Sequence, residues 1–257
     1  MAAPTGGPCS RRSWLHNRFG APSGRPHLRA GPAGTSSSVV GFALRNLLAW
    51  AGILVGCIGL ALDFWVILPS SMTAGAGNPV ARSLAGTLVY FWTFFTHLTN
   101  LWLVLTYAAV LGAGWLAWFR RPVAMASAAA FITLVMLYYH FMLAPTLRME
   151  GALLVATVLL HYVAPLLYLG WWALFAPHGT LRLGQIPLML LPGIGYVAWV
   201  LLRGAVVHEY PYDILDAGKF GYGGVAIGVA ILLVAVVIFA LVLVAADRLL
   251  ARRRSPA

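Results

Sequence analysis

The sequence predicts an all-α membrane protein, a polytopic bundle of six transmembrane helices. Hydrophobic residues make up 61% of the 257-residue chain and charged residues only 9%, whereas soluble domains carry about 25% charged residues. Six apolar segments follow one another, and each is near or above the ~20 residues that a spanning helix needs. None shows the ~10-residue alternation of a membrane-spanning β-barrel strand. Composition and segment length therefore exclude a soluble globular domain.

Prolines and short polar loops bound the six segments. We expect Pro69 to end the first segment, and Pro122 and Pro145 to bound the third, because proline does not donate a helix hydrogen bond. Pro192 and the glycine that follows it interrupt the fifth segment, which we expect to be kinked. The segments are roughly Phe42–Leu68, Leu84–Leu111, Val123–Ala144, Gly151–Phe175, Pro187–Val207 and Gly223–Ala246.

The rest of the chain consists of two basic tails. Residues 1–38 are rich in Pro, Gly, Ser, Arg and Ala, lack hydrophobic periodicity and are predicted to be disordered. Because the first residues contain no apolar run, we do not expect a cleaved signal peptide. The transmembrane domain spans residues 39–247, and residues 248–257 form a basic C-terminal tail.

The basic residues predict the orientation of the bundle. If the N-terminus is cytoplasmic, thirteen of the 17 Lys and Arg residues lie on the inside and four on the outside. Because cytoplasmic loops carry the excess of Lys and Arg, both termini are predicted to lie on the cytoplasmic side of the cell membrane. The same distribution over tails and short loops accounts for the net charge of +11 without a nucleic-acid partner.

Polar side chains collect in the outer and middle part of the predicted bundle. His161 lies about nine residues, or about 13 Å, inside the fourth segment, where an ionisable side chain indicates a functional site. Thr96 and Asn100 are four residues apart and share a helix face, whereas His97 is turned about 100° away from them. The predicted constellation is Asp63, Thr96, His97, Thr99, Asn100, His140 and His161.

Three interpretations of this constellation stay open on residue types alone. A hydroxyl nucleophile needs a base within hydrogen-bond reach, and Thr96 with His161 supplies that pair. The histidines and Asp63 are potential metal ligands, but no HxxxH or HExxH spacing supports such a site, and we expect neither a metal nor another cofactor. The third interpretation is a set of interhelical hydrogen bonds that only stabilise the bundle.

Two further features surround the constellation. Pro165 follows His161 by four residues, so we expect a kink at the histidine and a free His161 carbonyl. The outside loop between the fifth and sixth segments contains Tyr210 and Tyr212 on either side of a proline. This loop is either an interfacial anchor or a lid over the outer mouth of the bundle, with Arg203 binding a carboxylate or phosphate head group.

Five motifs between the second and sixth segments resemble a known family. They are FFTHLTN at 94–100, LLHYVAPLLY at 159–168, GYVAWVLLRG at 195–204, YPYDILD at 210–216 and GYGGV at 221–225. These motifs look like those of the bacterial six-span "Pr-six-Pr" membrane proteins. They are distantly similar to the eukaryotic androgen-induced-gene and ADTRP family, whose members are integral-membrane threonine hydrolases that cleave fatty-acid esters of hydroxy fatty acids.

The resemblance implies a six-span fold and an activity. By the motifs of the eukaryotic family, Thr96 would be the nucleophile and His161 the base, with Thr99 as the competing threonine. The first hypothesis is therefore a lipid-ester hydrolase in which Asn100 or His97 stabilises the oxyanion, with the bilayer and a lipid substrate as partners. The rival is a non-enzymatic membrane protein that binds or moves a lipid or a small polar solute. The hydrolase requires the Thr96 hydroxyl to meet a ring nitrogen of His161.

Overall fold

The computed structural model describes residues 35–75 and 80–254, and its regular elements are all helical. The disorder predicted for residues 1–34 lies outside this part of the chain. The α-helices are α1 (Thr35–Met72), α2 (Leu84–Phe91), α3 (Phe95–Val110), α4 (Pro122–Tyr138), α5 (Gly151–Val158), α6 (Ala164–Phe175), α7 (Ile186–Val207) and α8 (Ala217–Arg254). Two π-helical turns, Tyr139–Leu143 and Leu159–Val163, continue α4 and join α5 to α6.

The helices account for the predicted spans. Five continuous stretches are long and apolar enough to cross a membrane: Val39–Met72, Pro122–Leu143, Gly151–Phe175, Leu183–Val207 and Ala217–Arg253. Helices α2 and α3 together form a sixth if the bent pair is counted as one span. The predicted all-α membrane bundle is confirmed, and the chain is a multi-pass membrane protein.

The second predicted segment is bent rather than straight. Helices α2 and α3 meet at 76° across a break of three residues, although no proline or glycine marks that point in the sequence. Thr93 lies in the break, and its hydroxyl donates to the Val89 carbonyl at 2.7 Å. The Tyr196 hydroxyl of α7 donates to the Thr93 carbonyl at 3.0 Å. Tertiary hydrogen bonds thus satisfy backbone groups that the break releases inside an apolar bundle.

Each π-helical turn lies just before a proline. The N–H groups of Ala144 and Ala164 bond the carbonyls five residues earlier, on Tyr139 and Leu159. The predicted kink at His161 therefore takes the form of a π-helical turn, which shifts the hydrogen-bond register by one residue. In this register the carbonyl that lacks the Pro165 donor is that of Leu160, whereas regular helix geometry had assigned it to His161.

Several helix ends differ from the predicted boundaries. Helix α1 continues past Pro69 to Met72, where the Ser70 hydroxyl donates to the Ile67 carbonyl at 3.0 Å and the Thr73 hydroxyl donates to the Pro69 carbonyl. These hydroxyls thus supply donors to carbonyls near the C-terminal end of the helix, where backbone donors run out. Helix α7 runs unbroken through Pro192. Helices α1 and α8 extend into the predicted N- and C-terminal tails, to Thr35 and Arg254.

Helix α4 lies at the centre of the bundle and contacts α3, α6, α7 and α8. Its inner turns are almost all alanine, with Ala126, Ala128 and Ala129 fully buried, so neighbouring backbones approach closely. At the predicted cytoplasmic end, the buried Asp247 of α8 bonds His178 at 3.2 Å and the Leu181 N–H at 3.0 Å. This contact ties the loop after α6 to the last helix.

Candidate functional site

A cavity of about 400 Å³ lies between α3, α4, α7 and α8. Its walls are mostly aliphatic and aromatic side chains, such as Phe131, Leu134 and Val236. Of the described residues that line it, none is Asp, Glu, Lys or Arg. The polar groups on its wall come from Thr96, His161 and four tyrosines. This composition matches a site for an apolar ligand with a few polar contacts at one point.

Thr96 and His161 meet on the wall of this cavity. The Thr96 Oγ1 atom lies 3.4 Å from the Nε2 atom of His161. The other ring nitrogen, Nδ1, lies 3.0 Å from the Thr157 carbonyl, which only accepts hydrogen bonds. Nδ1 therefore carries the hydrogen and Nε2 is left as an acceptor for the threonine hydroxyl. The pair has the arrangement of a hydroxyl nucleophile and its base, at a length common before substrate binds.

Tyr212 approaches the same point from the loop between α7 and α8. Its hydroxyl lies 3.4 Å from Thr96 Oγ1 and 3.4 Å from the Thr96 backbone nitrogen. The ring is held by edge-to-face contacts with Phe94 and Tyr138, at centroid distances of 5.9 and 6.2 Å. A threonine, a histidine and a tyrosine thus converge at the N-terminal end of α3.

Asn100 lies behind the pair rather than in the cavity. Its fully buried amide nitrogen donates to the Thr96 carbonyl at 2.9 Å and to the Leu160 carbonyl at 3.2 Å. Both amide hydrogens are therefore engaged by backbone carbonyls, which leaves neither free for the oxyanion role predicted for Asn100. It instead joins the backbone of Thr96 to the residue next to His161, so it fixes the distance between the two helices at the site.

His97 and Asp63 form a separate buried cluster on the other side of α3. The Nε2 atom of His97 lies 2.6 Å from Asp63 Oδ2, and Nδ1 lies 2.6 Å from the Phe91 carbonyl. The imidazole stacks on the Phe91 ring at 3.9 Å. Both ring nitrogens are engaged, so His97 is also not free to bind an oxyanion. This cluster connects α1 to both sides of the helix break.

Two other predicted residues do not join the site. The Thr99 hydroxyl donates to the Phe95 carbonyl of its own helix at 2.8 Å, so Thr96 is the threonine that meets the histidine. His140 is exposed and bonds only the Tyr162 hydroxyl among its described polar contacts, at 3.1 Å. The π-helical turn directs the preceding residue, Tyr139, inward instead, with its ring centroid 4.1 Å from that of His161.

The predicted substrate mouth is closed by ion pairs. The Arg203 guanidinium bonds Glu209 Oε2 at 2.7 Å, and the Arg82 guanidinium bonds Glu209 Oε1 at 2.7 Å. Burial alone would raise the pKa of Glu209, but the hydrogen bonds from both arginines outweigh it and hold the pKa below its ordinary value. Tyr210 packs its ring directly against Gly204. Arg203 therefore holds the loop and is not a free anion-binding group.

Sequence reasoning missed four contributors to this arrangement. Thr157 sets the histidine tautomer through its carbonyl, and Tyr139 packs against the imidazole. Arg82 and Glu209 are 127 residues apart and hold the Tyr212 loop. The charge signs and the helical spacing of Thr157 to His161 were visible in the sequence, but neither says which long-range partner each residue takes.

No metal site accompanies the cavity: among the described residues, no three His, Cys, Asp or Glu side chains lie close enough together to hold an ion. Comparison with known proteins identifies no relative, because no family profile, no curated protein and no solved structure matches the chain.

Proposed function

We propose that this multi-pass membrane protein is a threonine-type hydrolase of lipid esters. The observation that carries the proposal is the contact between Thr96 Oγ1 and His161 Nε2, with the histidine tautomer set so that Nε2 accepts. The resemblance of the FFTHLTN and LLHYVAPLLY motifs to those of integral-membrane threonine hydrolases agrees with this assignment.

The proposed reaction proceeds in two transfers. Thr96 Oγ1 attacks the ester carbonyl carbon while its proton passes to His161 Nε2, and the carbonyl electron pair moves onto the oxygen. The tetrahedral intermediate then collapses, the carbon–oxygen bond to the alcohol breaks, and His161 returns its proton to the leaving alcohol. A water molecule then attacks the acyl carbon while its proton passes to the same nitrogen. The bond to Thr96 Oγ1 breaks, His161 returns the proton to that oxygen, and the fatty acid is released.

The cavity supports an acyl chain as the group bound beside Thr96. Its wall holds no charged side chain among the described residues, so the ionised head group of a lipid would lose hydration there without compensation. Two lining residues, Ile194 of α7 and Leu233 of α8, are 52% and 40% exposed, and both helices are long and apolar enough to cross a membrane. A chain dissolved in the bilayer can therefore reach the site from the side, between these helices.

Orientation and localisation are part of the proposal. The distribution of arginine favours both termini in the cytoplasm, which puts the Thr96–His161 contact in the outer half of the cell membrane. The partners in this view are the bilayer itself and a lipid ester drawn from it.

Hydrolysis of long-chain p-nitrophenyl esters by the purified, detergent-solubilised protein tests the proposal. We expect Thr96→Ala and His161→Ala to abolish turnover without loss of folded protein. Thr99→Val is the matched control, because it removes a neighbouring threonine hydroxyl that bonds only its own helix among the described contacts. Activity that survives in Thr96→Ala would refute the assignment, as would a folded wild-type protein that cleaves no ester of any chain length.

The apolar cavity also supports a second candidate function, the binding or movement of a lipid without chemistry. Under that alternative, a fluorescent fatty acid would bind the wild type and be displaced by unlabelled lipid, and no ester would be cleaved. Leu134→Trp, which fills the cavity, would then abolish binding, whereas Thr96→Ala would leave it unchanged.

A further inference from the structure

We infer that Tyr212 is a further catalytic residue, whose hydroxyl donates the hydrogen bond that stabilises the oxyanion. This inference rests on the proposed function, because it concerns the same Thr96 and His161. The Tyr212 oxygen lies 3.4 Å from Thr96 Oγ1, the atom that would attack the substrate. When Thr96 Oγ1 bonds the carbonyl carbon of the substrate, the carbonyl oxygen develops negative charge within reach of the Tyr212 hydroxyl.

The end of α3 prepares this hydroxyl to donate. The break before Phe95 leaves the first N–H groups of α3 without partners inside the helix. The N–H group of Thr96 lies 3.4 Å from the Tyr212 oxygen and bonds it instead. A hydroxyl that accepts a hydrogen bond becomes a stronger donor itself, because hydrogen bonds in a chain polarise one another. The positive end of the helix dipole adds to the stabilisation of a nearby negative charge.

The other polar groups near Thr96 are already committed. Both amide hydrogens of Asn100 and both ring nitrogens of His97 have partners away from the cavity. The Tyr196 hydroxyl donates to the Thr93 carbonyl at 3.0 Å. Among the described residues, Tyr212 is the side chain that both touches Thr96 and keeps a donor that the protein does not require elsewhere.

The loop that carries Tyr212 is built to hold it still. Glu209, three residues earlier, is bonded by guanidinium groups from two separate segments of the chain. Leu215, three residues later, is buried against Val200 and Val225 of the two flanking helices. An electrostatic donor contributes most when it needs no reorganisation as the charge develops. The two attachments provide that rigidity on both sides of the tyrosine.

The tyrosine keeps its proton throughout the reaction. When Thr96 attacks, the carbonyl electron pair moves onto the substrate oxygen, which then accepts the hydrogen bond from Tyr212 Oη. The proton released by Thr96 goes to His161 Nε2, so no second base is required. When the intermediate collapses, the electron pair returns to form the acyl carbonyl and the hydrogen bond weakens again.

Fluorophosphonate labelling tests the inference. The threonine oxygen displaces fluoride, and the phosphoryl oxygen of the adduct takes the place of the ester oxyanion. The full-length, detergent-solubilised protein is compared with Tyr212→Phe, Thr96→Ala and Tyr222→Phe, the last a control at an exposed tyrosine of α8. We expect Tyr212→Phe to lower the maximal labelling rate by about a hundredfold, with little change in the probe concentration for half-maximal rate.

A comparator separates catalysis from folding. Tyr196→Phe removes a hydroxyl that also bonds the helix break but does not touch Thr96. If Tyr212 only stabilised the break, both variants would lose thermal stability and label at similar rates per folded molecule, and the inference would fail.

The remaining outcomes are distinct from one another. Normal labelling of Thr96 in Tyr212→Phe would refute the role of Tyr212 and leave the proposed function in place. A folded wild type that fails to label, or labelling that persists in Thr96→Ala, would overturn both.

Discussion

The hydrogen bond from Asn100 to the Leu160 carbonyl allows a double-mutant test of the π-helical turn. Pro165 has no N–H, and in the π register the carbonyl that it leaves unpaired is that of Leu160. Asn100 supplies the missing donor from α3 at 3.2 Å. Asn100→Ala should therefore be harmful mainly because Pro165 is present. Pro165→Ala restores a backbone donor, and it should rescue part of the loss.

The size of this coupling follows from the burial of the atoms. A buried carbonyl left without a donor costs about 1–3 kcal/mol in water-soluble proteins. Measured interhelical hydrogen bonds in a membrane average about 0.6 kcal/mol, with a maximum of about 1.7. Asn100 is fully buried, so we expect Asn100→Ala to lower the free energy of unfolding by about 1–2 kcal/mol. In the Pro165→Ala background the same change should lower it by about 1 kcal/mol less.

Reversible unfolding in mixed micelles, followed by tryptophan fluorescence, measures the free energy of unfolding of the wild type, the two single variants and the double variant. Pro145→Ala is the matched control, because Pro145 follows the other π-helical turn and Asn100 does not reach that turn. The changes in the free energy of unfolding caused by Asn100→Ala and Pro145→Ala should be additive. Strict additivity of Asn100→Ala with Pro165→Ala would refute the assignment of Asn100 as the substitute donor for this turn.

Three further predictions concern the ends of the bundle. Glu209 has a lowered pKa in the fold, so its contribution is present above its ordinary value of 4.5 and is lost as pH falls through the folded pKa. Acid titration from about pH 6 to about pH 3 should lower the wild-type free energy of unfolding as Glu209 takes up a proton. The loss should be no more than about 1 kcal/mol because the carboxylate is partly exposed, and Glu209→Gln should lack this loss. Gly204→Ala should cost about 1–3 kcal/mol by thermal unfolding, since its Cβ would overlap a tyrosine ring, whereas Gly195→Ala, with open space around it, should be neutral. Asp247→Ala should lower the free energy of unfolding by about 3–5 kcal/mol because it leaves buried donors unpaired. Asp213→Ala, which breaks an exposed ion pair, should lower it by less than about 1 kcal/mol. Equal losses for the two glycine variants, or for the two aspartate variants, would contradict these assignments.

Local pattern was sufficient for the spans and for the direction of some side chains. Hydropathy located all six apolar segments, because each must satisfy its own backbone within the membrane. Helical spacing correctly predicted that His97 points away from Thr96, and the proline four residues after His161 correctly predicted an irregular turn there. These features depend on residues within one or two turns of each other.

The remaining features depend on partners far away in the chain. The break before Phe95 has no local marker, because its released carbonyl at Thr93 is satisfied by a tyrosine about a hundred residues later. His140 was predicted to share the site with His161, but it is exposed, and the π-helical turn brings Tyr139 against the His161 ring instead. The position of a residue along its helix could be read from the sequence, whereas its rotation about the helix axis could not once the register departed from 3.6 residues per turn.

The last helix has a consequence for biogenesis. Helix α8 supplies Val229, Leu232 and Val236 to the cavity wall, and its Asp247 bonds the loop that follows α6. A chain emerging in order from the ribosome therefore holds its threonine and histidine in an open groove until the final segment inserts. The apolar cavity is therefore complete only after the last apolar segment has packed against α4 and α7.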